Sequence, residues 1–275
     1  MKKILVPTDF SENAAHAAQY ALALFQYEAV HIMLFHAYNL PHGISDTLIS
    51  IDDILKQNAE DALATEISRL TKINRNPRAM FSSKAVPGEP SDAIVRDATK
   101  DSFDLIVMGT RGAGGIRGWL MGSNTVAVIE RAPCSVLAIP GNVSFTKPTE
   151  IVVAVDRIAS LRTSNLGMLK HIGATYQSHI TLMHVATEEE DDDNELRLKA
   201  GNSIFSPPIQ VSAETIRNPN FISGLEEYLQ TKGPTRWLVM IPHRRSSLDR
   251  LVRKSQTKLW ARHTSIPLLA LKELR

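Results

Sequence analysis

Cysteine is nearly missing from this chain: among 275 residues there is one, Cys134. A single thiol closes no internal disulfide, so the fold must rest on its core, as suits a reducing compartment. Long apolar runs are absent too, and no stretch approaches the ~20 residues of a membrane span. Neither sign of charge dominates, since 31 Lys and Arg stand against 29 Asp and Glu, for a formal net charge of +2. That balance argues against a nucleic-acid or membrane binder. The start, MKKILVPTDF, lacks the apolar core and cleavage site of a signal peptide, so a cytoplasmic location is expected.

What is present is alternation. Ile4–Val6 reads as a short buried strand broken at Pro7, with Ser11 as N-cap of an alanine-rich helix, ENAAHAAQYALALFQYE. HIMLFHAY is a second strand, and apolar residues at helical spacing predict a helix over Ile51–Ile73. A weaker strand over Met80–Val86, a helix after Pro90 and the strand FDLIVMG follow. A helix over Ser123–Arg131 and the strand CSVLAIP complete the series. Such alternation implies a mostly parallel sheet with helices on both faces.

After a linker, PGNVSFTKPTE, the pattern restarts. EIVVAVDR echoes KKILVPTDF, SHITLMHVA echoes AVHIMLFHAY, TRWLVMIP echoes DSFDLIVMG, and HTSIPLLALK echoes RAPCSVLAIP. The chain is therefore read as two copies of one α/β unit, residues 1–141 and 149–275. One segment separates them. MGTRGAGGIRGWLMGSNT, Met108–Thr125, lies over MIPHRRSSLDRLVRKSQT, Met240–Thr257, without a gap. Ser123 meets Ser255 and Thr125 meets Thr257, but every glycine of the first copy is replaced in the second.

Glycine at this density lowers local stability, so something must require it. The segment follows a central strand and opens a helix, where open parallel sheets bind their ligands. A helix start carries unpaired N–H groups and partial positive charge, and glycines let phosphate oxygens approach them. Ser123 and Thr125 could add hydroxyl donors. Neither G-x-x-x-x-G-K-[ST] nor G-x-G-x-x-G occurs in it. The spacing is instead Gly109, two residues, Gly112, nine residues, Gly122-Ser123.

That spacing, with PTDFS after the first strand, resembles the universal stress protein family and its ATP-binding branch, and the resemblance spans the chain as two tandem domains. It implies two Rossmann-like domains, each a five-stranded parallel sheet ordered 3-2-1-4-5 with helices on both faces. It implies ATP as the ligand of the first domain, with Mg²⁺ as a companion held through the nucleotide. Asp9 matches the family aspartate at the nucleoside, a carboxylate at the buried edge of the sheet, flanked by Pro7 and Thr8. Ala37 matches the main-chain contact to adenine. Gly109 and Gly112 match the ribose and phosphate approach, and Gly122, Ser123, Asn124 and Thr125 match the triphosphate cradle. The family's habit of pairing domains through their last strands implies an internal pseudo-dimer and leaves a homodimer open.

Other residues read more plainly. Arg111 and Arg117 suit either phosphate or solvent, and Cys134 suits a core strand. His31, His36, His179 and His184 lack partners at metal spacing, and Glu188–Asp193 is a solvated acidic run. Arg244, Arg245, Arg250, Arg253 and Lys254 replace the glycine segment with a basic one, read as a closed pocket or a separate anion site. No nucleophile–base pair stands near the glycines, so catalytic residues are not expected. The leading expectation is a nucleotide-dependent stress-response regulator. A protein-interaction scaffold with an unidentified protein partner, and a slow ATPase or autokinase, remain as alternatives.

Overall fold

The structure is a computed structural model that describes residues 1–39, 45–110, 121–155, 158–186, 194–231, 237–241 and 266–273, with the side chains of 45–50, 158, 160 and 222 left aside. The chain divides into two compact units, one ending at Gly141 and the other running from Asn142 onward. Gly112, Arg111, Arg117, Asp156, the acidic run and the basic segment of the second copy lie outside the described residues.

The first unit runs β1 (Lys2–Pro7), α1 (Glu12–Leu24), β2 (Val30–Tyr38), α2 (Ser45–Ile73), β3 (Ala79–Pro87), α3 (Pro90–Asp101), β4 (Leu105–Gly109), α4 (Ser123–Arg131) and β5 (Ser135–Ile139). Its strands are all parallel, in the order β3-β2-β1-β4-β5. The apolar runs that mark the central strands become the core: Ile4, Leu5, Leu105, Ile106, Val107 and Leu137 are fully buried. Strands covered on both faces have no polar alternation, which is why these runs are continuous.

The second unit runs β6 (Glu150–Ala154), α5 (Ile158–Arg162), α6 (Gly167–Tyr176), β7 (His179–Ala186), α7 (Asn194–Ile204), β8 (Gln210–Arg217), α8 (Phe221–Thr231), β9 (Trp237–Met240) and β10 (Leu268–Ala270). Its strand order, β8-β7-β6-β9-β10, is again all parallel and repeats 3-2-1-4-5. Both sheets thus have the expected order. They differ locally, because two helices, α5 and α6, stand between β6 and β7 where the first unit has α1 alone.

The first helix stops at Leu24, short of the sequence expectation, for a long-range reason. Asn76 is 2% exposed and donates through Nδ2 to the carbonyl oxygens of Phe25, at 2.9 Å, and Glu28, at 2.8 Å. Those carbonyls at the end of α1 are satisfied by a side chain from beyond α2, so the helix need not continue. Helix α2 also begins earlier than its apolar pattern, at Ser45.

Candidate functional site

The C-terminal ends of β1 and β4 are neighbours. Their register pairs Ile4 with Leu105 and Leu5 with Ile106, which brings Pro7 level with Met108. Pro7 is buried, and Thr8 is buried with its N–H donated to the carbonyl oxygen of Phe35 at 2.8 Å. β1 therefore stays locked to β2 through Thr8, and the chain is released only at Asp9.

Asp9 is exposed, rather than held at the buried edge. Its Oδ1 accepts from Ser11 Oγ at 2.6 Å and from Ser11 N–H at 3.1 Å. Ser11 Oγ in turn accepts from the N–H of Ala14 and caps α1. This is the turn-and-cap chemistry that short polar side chains favour. One carboxylate oxygen of Asp9 is thus engaged locally. Ala37 is half-buried near the end of β2, paired with Val86 of β3.

Gly109 ends β4, and Gly122 is the N-cap of α4. The backbone of Gly122 sits at φ −60° and ψ 147°, which any L-residue can adopt. Conformation therefore does not demand glycine here. What glycine does is leave the helix start uncapped, since no side chain bonds to it and the first turn has no acidic residue. A Ser or Asp at an N-cap would bond to the second or third amide. The Gly122 N–H donates to the Thr110 carbonyl oxygen at 2.7 Å, and Val126 N–H makes the first helical bond. Between them the N–H groups of Ser123, Asn124 and Thr125 have no acceptor among the described residues. These open amides, at the positive end of the helix dipole, suit an anion.

The two closing hydroxyls divide. Ser123 is exposed beside Asn124, whereas Thr125 is buried and donates through Oγ1 to the Gly109 carbonyl oxygen at 2.9 Å. Thr125 fastens α4 to β4, and its hydroxyl does not point outward as a free donor. The structure therefore brings Pro7, Thr8 and Asp9 to one strand end and Gly109 and Gly122–Thr125 to the next.

Two further residues lie at this edge, each with only an indirect signal in the sequence. His36 Nδ1 lies 2.8 Å from the Thr8 carbonyl oxygen, and Phe10 packs its ring on His36 at 4.5 Å between centroids. The second unit repeats the first of these contacts, with His184 Nδ1 2.9 Å from the Val155 carbonyl oxygen. Aligning the two copies puts His36 on His184, and that recurrence was the available clue. Among the described residues no cluster of three His, Cys, Asp or Glu is placed to hold a metal, and no helix is long and apolar enough to cross a membrane.

Two parallel, doubly wound sheets of this order, with a glycine at the helix start beside the switch between β1 and β4, define a Rossmann-like α/β class. The family description "Universal stress protein family" matches residues 1–140, and the chain belongs to that family. A universal stress protein of Thermus aquaticus is 33% identical over 141 residues, covering 50% of this chain and 98% of that protein. One from Methanocaldococcus jannaschii is 33% identical over 144 residues, covering 50% of this chain and 81% of that protein. The crystal structure of a universal stress protein from Archaeoglobus fulgidus superposes with a TM-score of 0.69 at 17% identity, covering 98% of this chain and 96% of that one. At that identity the likeness concerns the fold, and it extends over both halves.

Proposed function

We propose that the first unit binds ATP, with Mg²⁺ accompanying the phosphates, and that the protein acts as a nucleotide-dependent regulator rather than as a rapid phosphoryl-transfer enzyme. The observation that carries this reading is the uncapped start of α4. Three successive amides stand without an acceptor among the described residues, where a glycine, not required by its own φ and ψ, supplies no side chain to cap the second or third of them. A polyphosphate supplies the missing acceptors and complements the helix dipole. Gly109 and Gly112 admit it, Ser123, Asn124 and Thr125 offer amides, and the nucleoside extends toward Asp9 and Ala37 with Pro7 and Thr8 as its floor. The second copy, with Ile241, Arg244 and Lys254 in the places of Gly109, Gly112 and Gly122, is the partner that does not bind nucleotide in this way.

Calorimetry of ATP against the native chain and a Gly122→Lys variant tests the reading. The variant copies Lys254 of the second repeat, and the local backbone accommodates it. One site per chain, lost in the variant, is the expected result. A native chain that takes up no ATP in the presence of Mg²⁺ overturns it. Phosphate release measured on the same samples distinguishes a binder from a slow hydrolase.

A further inference from the structure

The strand starts of the first unit, at the end of its sheet away from Asp9 and Gly109, gather charge of one sign. Between Ile67 and Gly88 the sequence has no Asp or Glu, yet it carries Arg69, Lys72, Arg75, Arg78 and Lys84. Arg69 is paired with Glu66, and Lys84 with Asp97. Lys72, Arg75 and Arg78 are exposed, and none of them has a carboxylate partner among the described residues.

Apolar groups gather there too. Tyr27 is 53% exposed, Ile73 47% and Met80 56%. The fold brings these positions together, because Asn76 joins the turn after α2 to the turn after α1 through Phe25 and Glu28. Arg78 donates through Nη2 to the Tyr27 carbonyl oxygen, and Met80 pairs in register with His31 at the start of β2. Single exposed apolar residues are ordinary on a protein surface. Three of them interleaved with three cations have the composition of an interface, where Tyr, Met and Arg are enriched.

The repeat shows that the fold does not require this. His179 takes the place of His31, and Gln210 takes the register position of Met80. Residues 200–213 carry no charge, and Phe205 and Ile209 of the corresponding turn are buried. That end is also covered by the segment before β6. Phe145 packs on Tyr176 at 6.2 Å between centroids, and Ser178 Oγ donates to the Pro148 carbonyl oxygen at 2.6 Å.

An occupant of the basic end must bring negative charge and an apolar anchor. The chain contains one such segment. Glu188–Asp193 is an unbroken acidic run, and three residues beyond it is Leu196, 54% exposed. Among the described residues Leu196 is the one large apolar side chain that the second unit exposes. The small net charge thus conceals two segments of opposite sign. We propose that the basic end of the first unit, with Tyr27, Ile73 and Met80, docks the acidic segment and Leu196 of a second copy of this chain. Each copy carries both parts, so the pairing is reciprocal. Opposite charge selects the partner, and the apolar groups hold it. The contact uses neither β5 nor β10 and does not depend on nucleotide binding.

Sedimentation of the full chain at about 50 mM salt, where surface charges are weakly screened, tests the proposal. The native chain is compared with two charge-reversed variants. One combines Lys72→Glu and Arg75→Glu, and the other combines Glu188→Lys, Glu189→Lys, Asp191→Lys and Asp192→Lys. The native chain is expected to self-associate below about 100 μM. Each variant alone is expected to do so at least about tenfold more weakly. An equimolar mixture of the two should associate as the native chain does, because each reversed surface then meets its opposite on the other variant. Leu196→Ser is expected to weaken native association about tenfold. A native chain that stays monomeric overturns the proposal. Native-like association of either charge-reversed variant alone, or of Leu196→Ser, overturns it as well, and so does a mixture that stays monomeric.

Discussion

Thr125 donates its buried hydroxyl to the carbonyl oxygen of Gly109, 2.9 Å away, and so ties the first turn of α4 to the last residue of β4. The bond joins the strand before the glycine segment's undescribed part to the helix after it, so β4 and α4 are fixed to one another. Replacing Thr125 with Val keeps the shape and strands the carbonyl. A loss of ~1–2 kcal/mol is expected in urea unfolding, with Thr125→Ser close to native. Equal midpoints for the Val variant and the native chain would remove the fastening role.

Asn76 should be among the most sensitive polar positions. It is 2% exposed, donates to Phe25 and Glu28, and accepts from the Arg78 N–H at 3.0 Å. Asn76→Ala leaves two carbonyls and an amide without this buried partner. The expected cost is ~2–4 kcal/mol, measured by denaturant unfolding of the full chain. Asn76→Asp should fare little better, since a carboxylate cannot donate to those carbonyls.

Tyr38 gives a pH prediction. Burial, aided by its hydrogen bond to Asp52 at 2.9 Å and by that carboxylate's charge, pushes the phenol up from its ordinary 10.0 to about 12. The folded state thus holds this proton more tightly than the unfolded one, so stability falls as pH rises between those values. The contribution is fully present below about pH 10 and gone above about pH 12. Tyr38→Phe should therefore be less stable than the native chain by ~1–2 kcal/mol at neutral pH. The gap should close as the pH is raised through that window, and a gap independent of pH would contradict the assignment.

Much of the architecture is legible in the sequence because its signals are local. Helix α4 falls at Ser123–Arg131, as the pattern after Gly122 predicts, and Ser11 caps α1 as its side chain allows. The doubled motif set predicts a doubled fold, and both sheets follow one strand order. Boundaries that depend on distant partners are less legible. The end of α1 is set by Asn76, 51 residues beyond Phe25 in sequence, and no window over the helix contains that partner.

The candidate site divides in the same way. The glycine spacing, the strand before it and the helix after it can be read in order along the chain, and so can PTDFS. The engagement of Thr125 with Gly109 cannot, nor can the exposure of Asp9 or the stacking of Phe10 on His36. Each depends on which strand lies beside which, and in what register.

The sequence by itself therefore determined the two repeats, their alternation of strand and helix, and the place where one repeat opens its backbone. Those properties follow from periodicity and from the stereochemistry of a few adjacent residues. Tertiary structure alone decided which hydroxyl fastens and which faces outward, where α1 ends, and that His36, 28 residues from Thr8, holds the end of β1. The physical reason is register: β1 pairs with β2 and β4, its neighbours in the sheet, and only that pairing brings these side chains within bonding distance.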